Sequence, residues 1–199
     1  TTKRIKIAFI GDQGNTNDTK RALTMVRDEK ANALIVVGDF DYQDNPSLWK
    51  SNFDIYLGDK FPVIAVAGNH EEKAWDSGYK DVVRKQIELL HKGTCTSSVP
   101  ENLGLYFDCV LGPVHFVFAT PDIRIAQAEK TKKPEDFLKK QLKQSKSPWN
   151  ICAWHKVHEG MQLGDKKDKI SWDIYEACRA SGAYIVSGHD HVYARSRTM

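Results

Sequence analysis

The stretch LIVVGDFDY, residues 34–42, joins a short apolar run to a group of polar side chains. Leucine and three β-branched residues predict a buried strand, and the chain must turn where Gly38-Asp39 follows. Four other predicted strands end in the same way, at Gly11-Asp12, Gly68-Asn69-His70, His155 and Gly188-His189-Asp190-His191. The position of these polar groups, directly after strands, decides how the rest of the sequence is interpreted.

Apolar runs alternate along the chain with segments of helical period, and this pattern predicts an α/β fold with a largely parallel sheet. The predicted strands are 5–10, 34–37, 63–67, 105–110, 114–119, 151–154, 183–187 and 192–197, of which 105–110 and 114–119 form an antiparallel hairpin. The predicted helices are 18–30, 46–57, 79–91, 134–144 and 169–180. Because the carboxyl ends of parallel strands share one edge of a sheet, we expect the polar groups to meet there.

The composition fits one folded domain over residues 1–199. Of its 199 residues, 41% are hydrophobic and 28% are charged, which is enough for a sizeable core. Its apolar runs are much shorter than the roughly 18 residues of a membrane-spanning helix, so we expect no membrane segment. The formal net charge of +3 is too small to predict a nucleic-acid partner. The chain starts without an initiator Met or an apolar signal segment, which predicts a processed or trimmed segment.

Five of the seven histidines lie at or just beyond the predicted strand ends, namely His70, His155, His158, His189 and His191. Core packing alone does not account for this clustering. Asp, Asn and His donors without thiolates suit iron, zinc or manganese, and there are enough of them for two ions. Two adjacent metal ions can hold phosphate oxygens and activate water, so the pattern predicts a hydrolase.

The four cysteines are too few for a disulfide scaffold and lack the paired spacing of a zinc site. Cys95 and Cys109 flank a loop, and the sequence is compatible both with a disulfide between them and with two thiols. Cys152 and Cys178 lie in apolar runs, where we expect small buried side chains.

The five polar blocks together resemble those of the calcineurin-like metallophosphoesterases, and specifically of the purple acid phosphatases. The blocks are Gly11-Asp12-Gln13-Gly14, Gly38-Asp39-Phe40-Asp41-Tyr42, Gly68-Asn69-His70-Glu71, His155 and Gly188-His189-Asp190-His191. In the purple acid phosphatases the histidine of the first block is absent and a tyrosine is gained in the second, as Gly14 and Tyr42 show here. The resemblance implies a layered α-β-β-α sandwich, and further strands after the last block. Because the chain ends at Met199, we expect a fragment or a trimmed segment.

The resemblance also implies roles for the site residues. Asp39 would bridge two metal ions, with Asp12, Tyr42 and His191 on a ferric ion and Asn69, His155 and His189 on a divalent ion of iron, zinc or manganese. His70 would stay off the metals and stabilise the transition state or protonate the leaving group. The implied reaction is hydrolysis of a small phosphate monoester by attack of a metal-bound hydroxide, in a secreted or vesicular protein.

Several alternatives stay open at this stage. The same metals would serve a phosphodiesterase or a pyrophosphatase, and a binding module could retain the metals without activity. A di-zinc or di-manganese enzyme would need no ferric ion. The sequence assigns no role to His158 and predicts no oligomeric state. We expect Asp41, Asp44 and Asp190 beside the site or on the surface, and His91 and His115 to be structural.

Overall fold

The structure is a computed structural model, and it describes residues 4–91, 93–97, 100–125, 133–163, 166–168 and 170–196. These residues form two β-sheets. The first is all parallel, in the order β1-β2-β3, with β1 at Ile7–Ile10, β2 at Ala33–Val37 and β3 at Val63–Val66. Its middle strand, β2, is buried along its whole length, which explains its unbroken apolar sequence.

The second sheet is mixed, in the order β4-β5-β6-β7-β8. Its strands are Cys95–Thr96, Phe107–Leu111, Val114–Phe118, Trp149–Ala153 and Tyr184–Val186. The predicted hairpin is confirmed, since β5 and β6 are antiparallel, whereas β6, β7 and β8 run parallel. The two sheets contact each other, and the ring centroids of Phe9 in β1 and Phe116 in β6 lie 6.3 Å apart.

Five α-helices have described bounds and cover the outer faces of the sheets. They are α1 (Asn17–Asp28), α2 (Pro46–Tyr56), α3 (Lys80–Glu88), α4 (Pro134–Gln144) and α5 (Trp172–Arg179). On one side α1 packs against α2 and α3 against β3; on the other, α4 contacts β6 and α5 contacts β8. The predicted layered α-β-β-α sandwich is therefore confirmed. Within the described part of the chain, no helix has the length and apolar character needed to cross a membrane.

Aromatic packing fixes the segment that follows β2. The ring of Phe40 is fully buried and stacks on Trp49 of α2 with 4.1 Å between ring centroids. The Tyr79 ring packs edge-on against Phe40, and its hydroxyl donates a hydrogen bond to the Asp41 carboxylate. Asp41 also accepts hydrogen bonds from the backbone N–H groups of Gln43 and Asn45. Three buried rings and one carboxylate thus hold this turn in place.

The cysteines form two disulfides, Cys95–Cys109 and Cys152–Cys178. The first joins directly opposed residues of β4 and β5. The expectation that Cys152 and Cys178 are merely small buried side chains was wrong: both are fully buried, but they bond to each other. They lie 26 residues apart, and only the packing of β7 against α5 brings their Cα atoms to 6.4 Å.

The C-terminal strand prediction was also wrong for the residues that are described. Residues 192–196 contain no strand. The Val192 and Tyr193 side chains are both exposed, so no burial of apolar surface stabilises a strand there. Residue 197 lies outside the described residues. So do Met199, where the resemblance implied missing strands, and residue 169, the predicted start of the last helix.

Removing the Cys152–Cys178 disulfide is expected to destabilise the protein, because the bond ties a central strand to its covering helix. Replacing both cysteines with alanine should lower the free energy of unfolding by about 2–5 kcal/mol. Urea unfolding without reductant measures this change in the free energy of unfolding. The Cys95→Ala/Cys109→Ala protein is the matched comparison, because it loses the other disulfide and keeps Cys152–Cys178. Four alkylatable thiols in the unfolded, unreduced wild-type protein would contradict both disulfides.

Candidate metal centre

Polar side chains from both sheets converge where five parallel strands end. Asp12 follows β1, Asp39 follows β2 and Asn69 follows β3 in the first sheet. His155 follows β7 and His189 follows β8 in the second. Six of the seven predicted metal ligands come together at one edge of the sandwich, in two groups that share a boundary.

The first group, which we call the inner cluster, consists of Asp39, His155 and His189. Its ligand atoms all lie within 4.8 Å of one another. His155 Nε2 is 3.1 Å from Asp39 Oδ2 and 3.2 Å from His189 Nδ1. Their side chains are almost completely buried, with exposed fractions of 1% for Asp39, 0% for His155 and 8% for His189. Three metal-binding groups are thus held in a water-poor environment.

The hydrogen bonds of His155 Nδ1 and His189 Nε2 determine which nitrogen of each imidazole carries the proton. His155 Nδ1 is 2.8 Å from the Val37 carbonyl oxygen, which only accepts, so Nδ1 carries a proton. His189 Nε2 is 2.7 Å from an Asp168 carboxylate oxygen and donates to it in the same way. In the neutral rings, both facing nitrogens therefore present lone pairs 3.2 Å apart. Such a pair requires a shared proton or a metal cation between them.

Asn69 supplies a further donor for a cation. Its Oδ1 atom is buried and has no hydrogen-bond partner among the described residues. A buried amide oxygen left without a partner is costly, and a cation would satisfy it. That Asn69 joins the inner cluster as a ligand of a divalent ion stays a prediction.

The second group, the outer cluster, consists of Asp12, Tyr42 and His191. The Tyr42 hydroxyl lies 3.2 Å from Asp12 Oδ1 and 2.9 Å from His191 Nε2, and the latter two atoms are 3.4 Å apart. This triangle is more open to solvent, since 38% of Tyr42 and 58% of the His191 side chain are exposed. Asp12 Oδ1 is 3.9 Å from His155 Nε2, so the two clusters adjoin.

His70 lies beside the clusters. Its Nε2 atom is 3.8 Å from Asp39 Oδ2, its ring packs edge-on against Tyr42, and half of its side chain is exposed. Its backbone N–H donates to Asp39 Oδ1. An imidazole at the solvent boundary of the site is placed to reach a molecule that enters from solvent.

The backbone is strained at the residues of the clusters. Asp12, Asp39, Tyr42, His189 and His191 all have positive φ, between +52° and +80°. Non-glycine residues rarely adopt this region, and such conformations gather at functional sites, where the surrounding structure holds them. Close packing adds to the constraint, because a Cβ on Gly68 would lie 2.3 Å from Asp39 Oδ1 and one on Gly38 would lie 2.5 Å from His155 Nδ1. Glycine at these positions lets the strand ends approach the ligands.

Glu71 supports this strained segment, and no role for it was predicted from the sequence. Its fully buried carboxylate accepts hydrogen bonds from the backbone N–H groups of Asp39 (2.9 Å), Phe40 (2.7 Å) and Gly68 (2.7 Å). The side chain therefore ties the turn after β2 to the turn after β3. The only signal in the sequence was its presence in the third block. The three N–H groups meet its carboxylate only in the folded chain, so the sequence does not show these hydrogen bonds.

The ionisation states follow from burial and from neighbouring charges. Burial lowers the pKa of His155, but the hydrogen bond to Asp39, the charges of Asp39 and Asp12 and the contact with the Val37 carbonyl together outweigh burial and raise that pKa above its usual value. Burial and the charge of His155 lower the pKa of His189. Burial followed by the Asp12 carboxylate raises the pKa of the Tyr42 phenol. The extra proton of the metal-free inner cluster thus belongs to His155, where a metal ion would replace it.

Other residues singled out in the sequence lie around the site without joining the clusters. His158 stacks on Trp172 and accepts a hydrogen bond from the backbone of Gly160. Asp190 accepts from the backbone N–H of Leu163. Asp44 pairs with Lys73 on the surface, buried His115 pairs with Asp108, and His91 is exposed. Asp44, Asp190 and His115 thus make contacts outside the two clusters, whereas the structural role expected for His91 stays a prediction.

The donor set fits metal ions of the kind predicted. Carboxylate, amide and phenol oxygens and imidazole nitrogens suit iron, zinc and manganese. All four cysteines are consumed in disulfides, so none offers a thiolate.

Comparison with known proteins places these features in a family. Residues 5–193 match the family described as calcineurin-like phosphoesterase. Purple acid phosphatase 15 of Arabidopsis thaliana is 22% identical over 96% of this chain, which spans 41% of that relative. The structure of purple acid phosphatase PPD1 from yellow lupin (Lupinus luteus) seeds superposes with a TM-score of 0.55 at 15% identity, over 79% of this chain and 31% of that one.

Replacing Glu71 with glutamine tests its supporting role. An amide retains one acceptor oxygen but turns an NH₂ group towards a backbone donor, so the free energy of unfolding should fall by about 1–3 kcal/mol. Urea unfolding of the metal-free protein measures the change. Glu88→Gln makes the same substitution at an exposed position of α3 and should be neutral. Equal stability of the two variants would contradict the role assigned to Glu71.

Proposed function

Because the chain belongs to the calcineurin-like phosphoesterase family, we propose that it is a metal-dependent hydrolase of small phosphate monoesters, related to the acid phosphatases. Metallophosphoesterases use two metal ions. The observation that carries the proposal is the pair of imidazole nitrogens, His155 Nε2 and His189 Nδ1, whose lone pairs face each other at 3.2 Å. Without a cation or a proton between them, that arrangement is repulsive.

Each cluster is assigned one ion. Asp39, Asn69, His155 and His189 would hold a divalent ion of zinc, iron or manganese, and Asp12, Tyr42 and His191 would hold a ferric ion. Asp39 would bridge the two, which suits a buried carboxylate at the boundary of the clusters. When bound, such a pair of ions binds phosphate oxygens and lowers the pKa of a water molecule.

His70 is assigned the proton transfer to the leaving alkoxide. Its imidazole is half exposed and lies just outside the inner cluster, with Nε2 3.8 Å from Asp39 Oδ2. A neutral or protonated imidazole beside the reacting phosphate can donate a hydrogen bond to developing negative charge. The packing of its ring against Tyr42 limits where the side chain points.

The site favours a small substrate. An open cavity of about 340 Å³ lies beside the outer cluster and is lined by Asp12, His191, Val192 and Tyr193, among others. A phosphate group with a compact alcohol is small enough for this volume, which agrees with the proposed monoester. Phosphodiester or pyrophosphate hydrolysis on the same metals is the second candidate, since the ligand set serves all three reactions.

An oxidising compartment, either outside the cell or in a vesicular lumen, agrees with this function. Both disulfides would be reduced in a typical cytosol. The relative from Arabidopsis thaliana is itself a purple acid phosphatase.

The first test joins elemental analysis to paired assays with a phosphate monoester and a phosphodiester. The wild-type protein should hold about two metal ions per chain and prefer the monoester. Asp39→Asn should lose metal, whereas His70→Ala should keep it and lower kcat about 10²–10⁴-fold. His91→Ala, at an exposed histidine distant from the site in sequence, is the control. Faster diester cleavage would favour the phosphodiesterase, and metal binding without hydrolysis of either ester would favour a binding module.

The second test concerns the metal in the outer cluster. Burial and Asp12 keep the Tyr42 phenol protonated, so only a strongly acidic ion such as ferric iron would hold it as phenolate. The iron-loaded protein should absorb visible light by charge transfer, and Tyr42→Phe should abolish that band. Tyr193→Phe, which removes a hydroxyl from the nearby cavity wall, should leave it unchanged. A colourless protein with full activity would instead indicate two zinc or two manganese ions.

A further inference from the structure

A chain of charged side chains lies behind the inner cluster and has no place in the proposed ligand set. Asp168 Oδ2 is 2.7 Å from His189 Nε2, and its other oxygen is 3.1 Å from Lys156 Nζ. The same ammonium lies 3.0 Å from Asp122 Oδ2. We call these three residues, Asp122, Lys156 and Asp168, the charged clamp.

The clamp is well shielded from solvent at its centre. The exposed fractions of the side chains are 15% for Lys156 and 13% for Asp168, against 40% for Asp122. Partly buried ion pairs are screened less than surface pairs, so these contacts restrict their side chains more than exposed salt bridges would.

Three separate segments supply the clamp. Asp122 follows β6 and has a φ of +56°, Lys156 directly follows His155, and Asp168 lies in the segment before α5. Because Lys156 is bonded through the backbone to His155, the clamp links the two imidazoles of the inner cluster. A shift of Asp168 would therefore disturb the spacing between His155 and His189.

The contact with Asp168 also selects the orientation of the His189 ring. With Nε2–H donating to the carboxylate, Nδ1 is left with its lone pair towards His155 Nε2. A ring free to rotate would spend much of its time with neither nitrogen in that position. Carboxylates that accept from a metal-binding histidine typically change metal affinity 10- to 100-fold when removed.

We propose that Asp168 is a positioning residue, held by Lys156 and Asp122, that keeps Nδ1 of His189 turned towards Asp39 and His155. The inference rests on the proposed function, because it concerns how the inner cluster prepares to bind a metal ion. Asp168 touches neither of the other two members of the inner cluster in any described contact, so it acts through His189.

The test measures Zn²⁺ affinity by competition with a chelator, in proteins whose metal-free stability is checked by urea unfolding. Asp168→Ala should weaken binding of one ion about 10- to 100-fold and leave the other ion unaffected. Asp168→Asn retains an acceptor oxygen and should lose less, and Lys156→Met should fall between wild type and Asp168→Ala. Glu159→Gln removes a negative charge from an exposed position of the same segment and is the matched control.

A second readout does not need metal. Nitrogen-15 NMR of the metal-free protein should show His189 protonated at Nε2 in the wild type and a mixture of tautomers in Asp168→Ala. Unchanged affinity and tautomer in Asp168→Ala and Asp168→Asn would overturn the proposal, as would an equal loss of affinity in Glu159→Gln. A wild-type protein that binds no metal would refute the proposed function instead, and the tautomer would still decide the role of Asp168.

Discussion

The site depends on two imidazole nitrogens that face each other at 3.2 Å, each with its partner nitrogen already committed as a donor. The Val37 carbonyl commits His155 and the Asp168 carboxylate commits His189. Neither ring can move its proton to the facing nitrogen without losing its hydrogen bond to Val37 or Asp168. A positive charge between the facing nitrogens is therefore needed to offset the repulsion of their lone pairs. A proton meets that need in the metal-free protein, and in the proposed metal centre an ion would meet it.

This arrangement of side chains requires strained backbone conformations, and the surrounding packing offsets their conformational energy. Five site residues sit at positive φ. Buried rings of Phe40, Trp49 and Tyr79 fix the turn after β2, and Glu71 joins that turn to the one after β3. The strained turns are thus tied to the core rather than left as free loops, so the ligands are positioned before any ion arrives.

The two clusters differ in their exposure, and this difference suits different roles. The inner cluster is closed from water, which strengthens its electrostatic interactions. The outer cluster, with a half-exposed histidine and tyrosine, borders the open cavity. In the proposed function, a substrate would therefore meet the site from the side of the outer cluster and of His70.

The sequence by itself determined the seven longer strands and the polar residues at their ends, because strand period, turn residues and glycine leave local signatures. It missed the two-residue strand Cys95–Thr96 and did not predict the order of the strands within the sheets. The hairpin and the bounds of α4 agree with expectation, and the α-β-β-α layering agrees with what the family resemblance implied. Only the tertiary structure decided the contacts between distant residues: Glu71 on three backbone donors, Asp168 on His189, and the Cys152–Cys178 bond. It also removed the strand expected at 192–197, whose described residues are exposed. The partner of a buried carboxylate or thiol is set by the packing of elements that are far apart in the chain. Local sequence patterns carry no information about which distant residues come into contact.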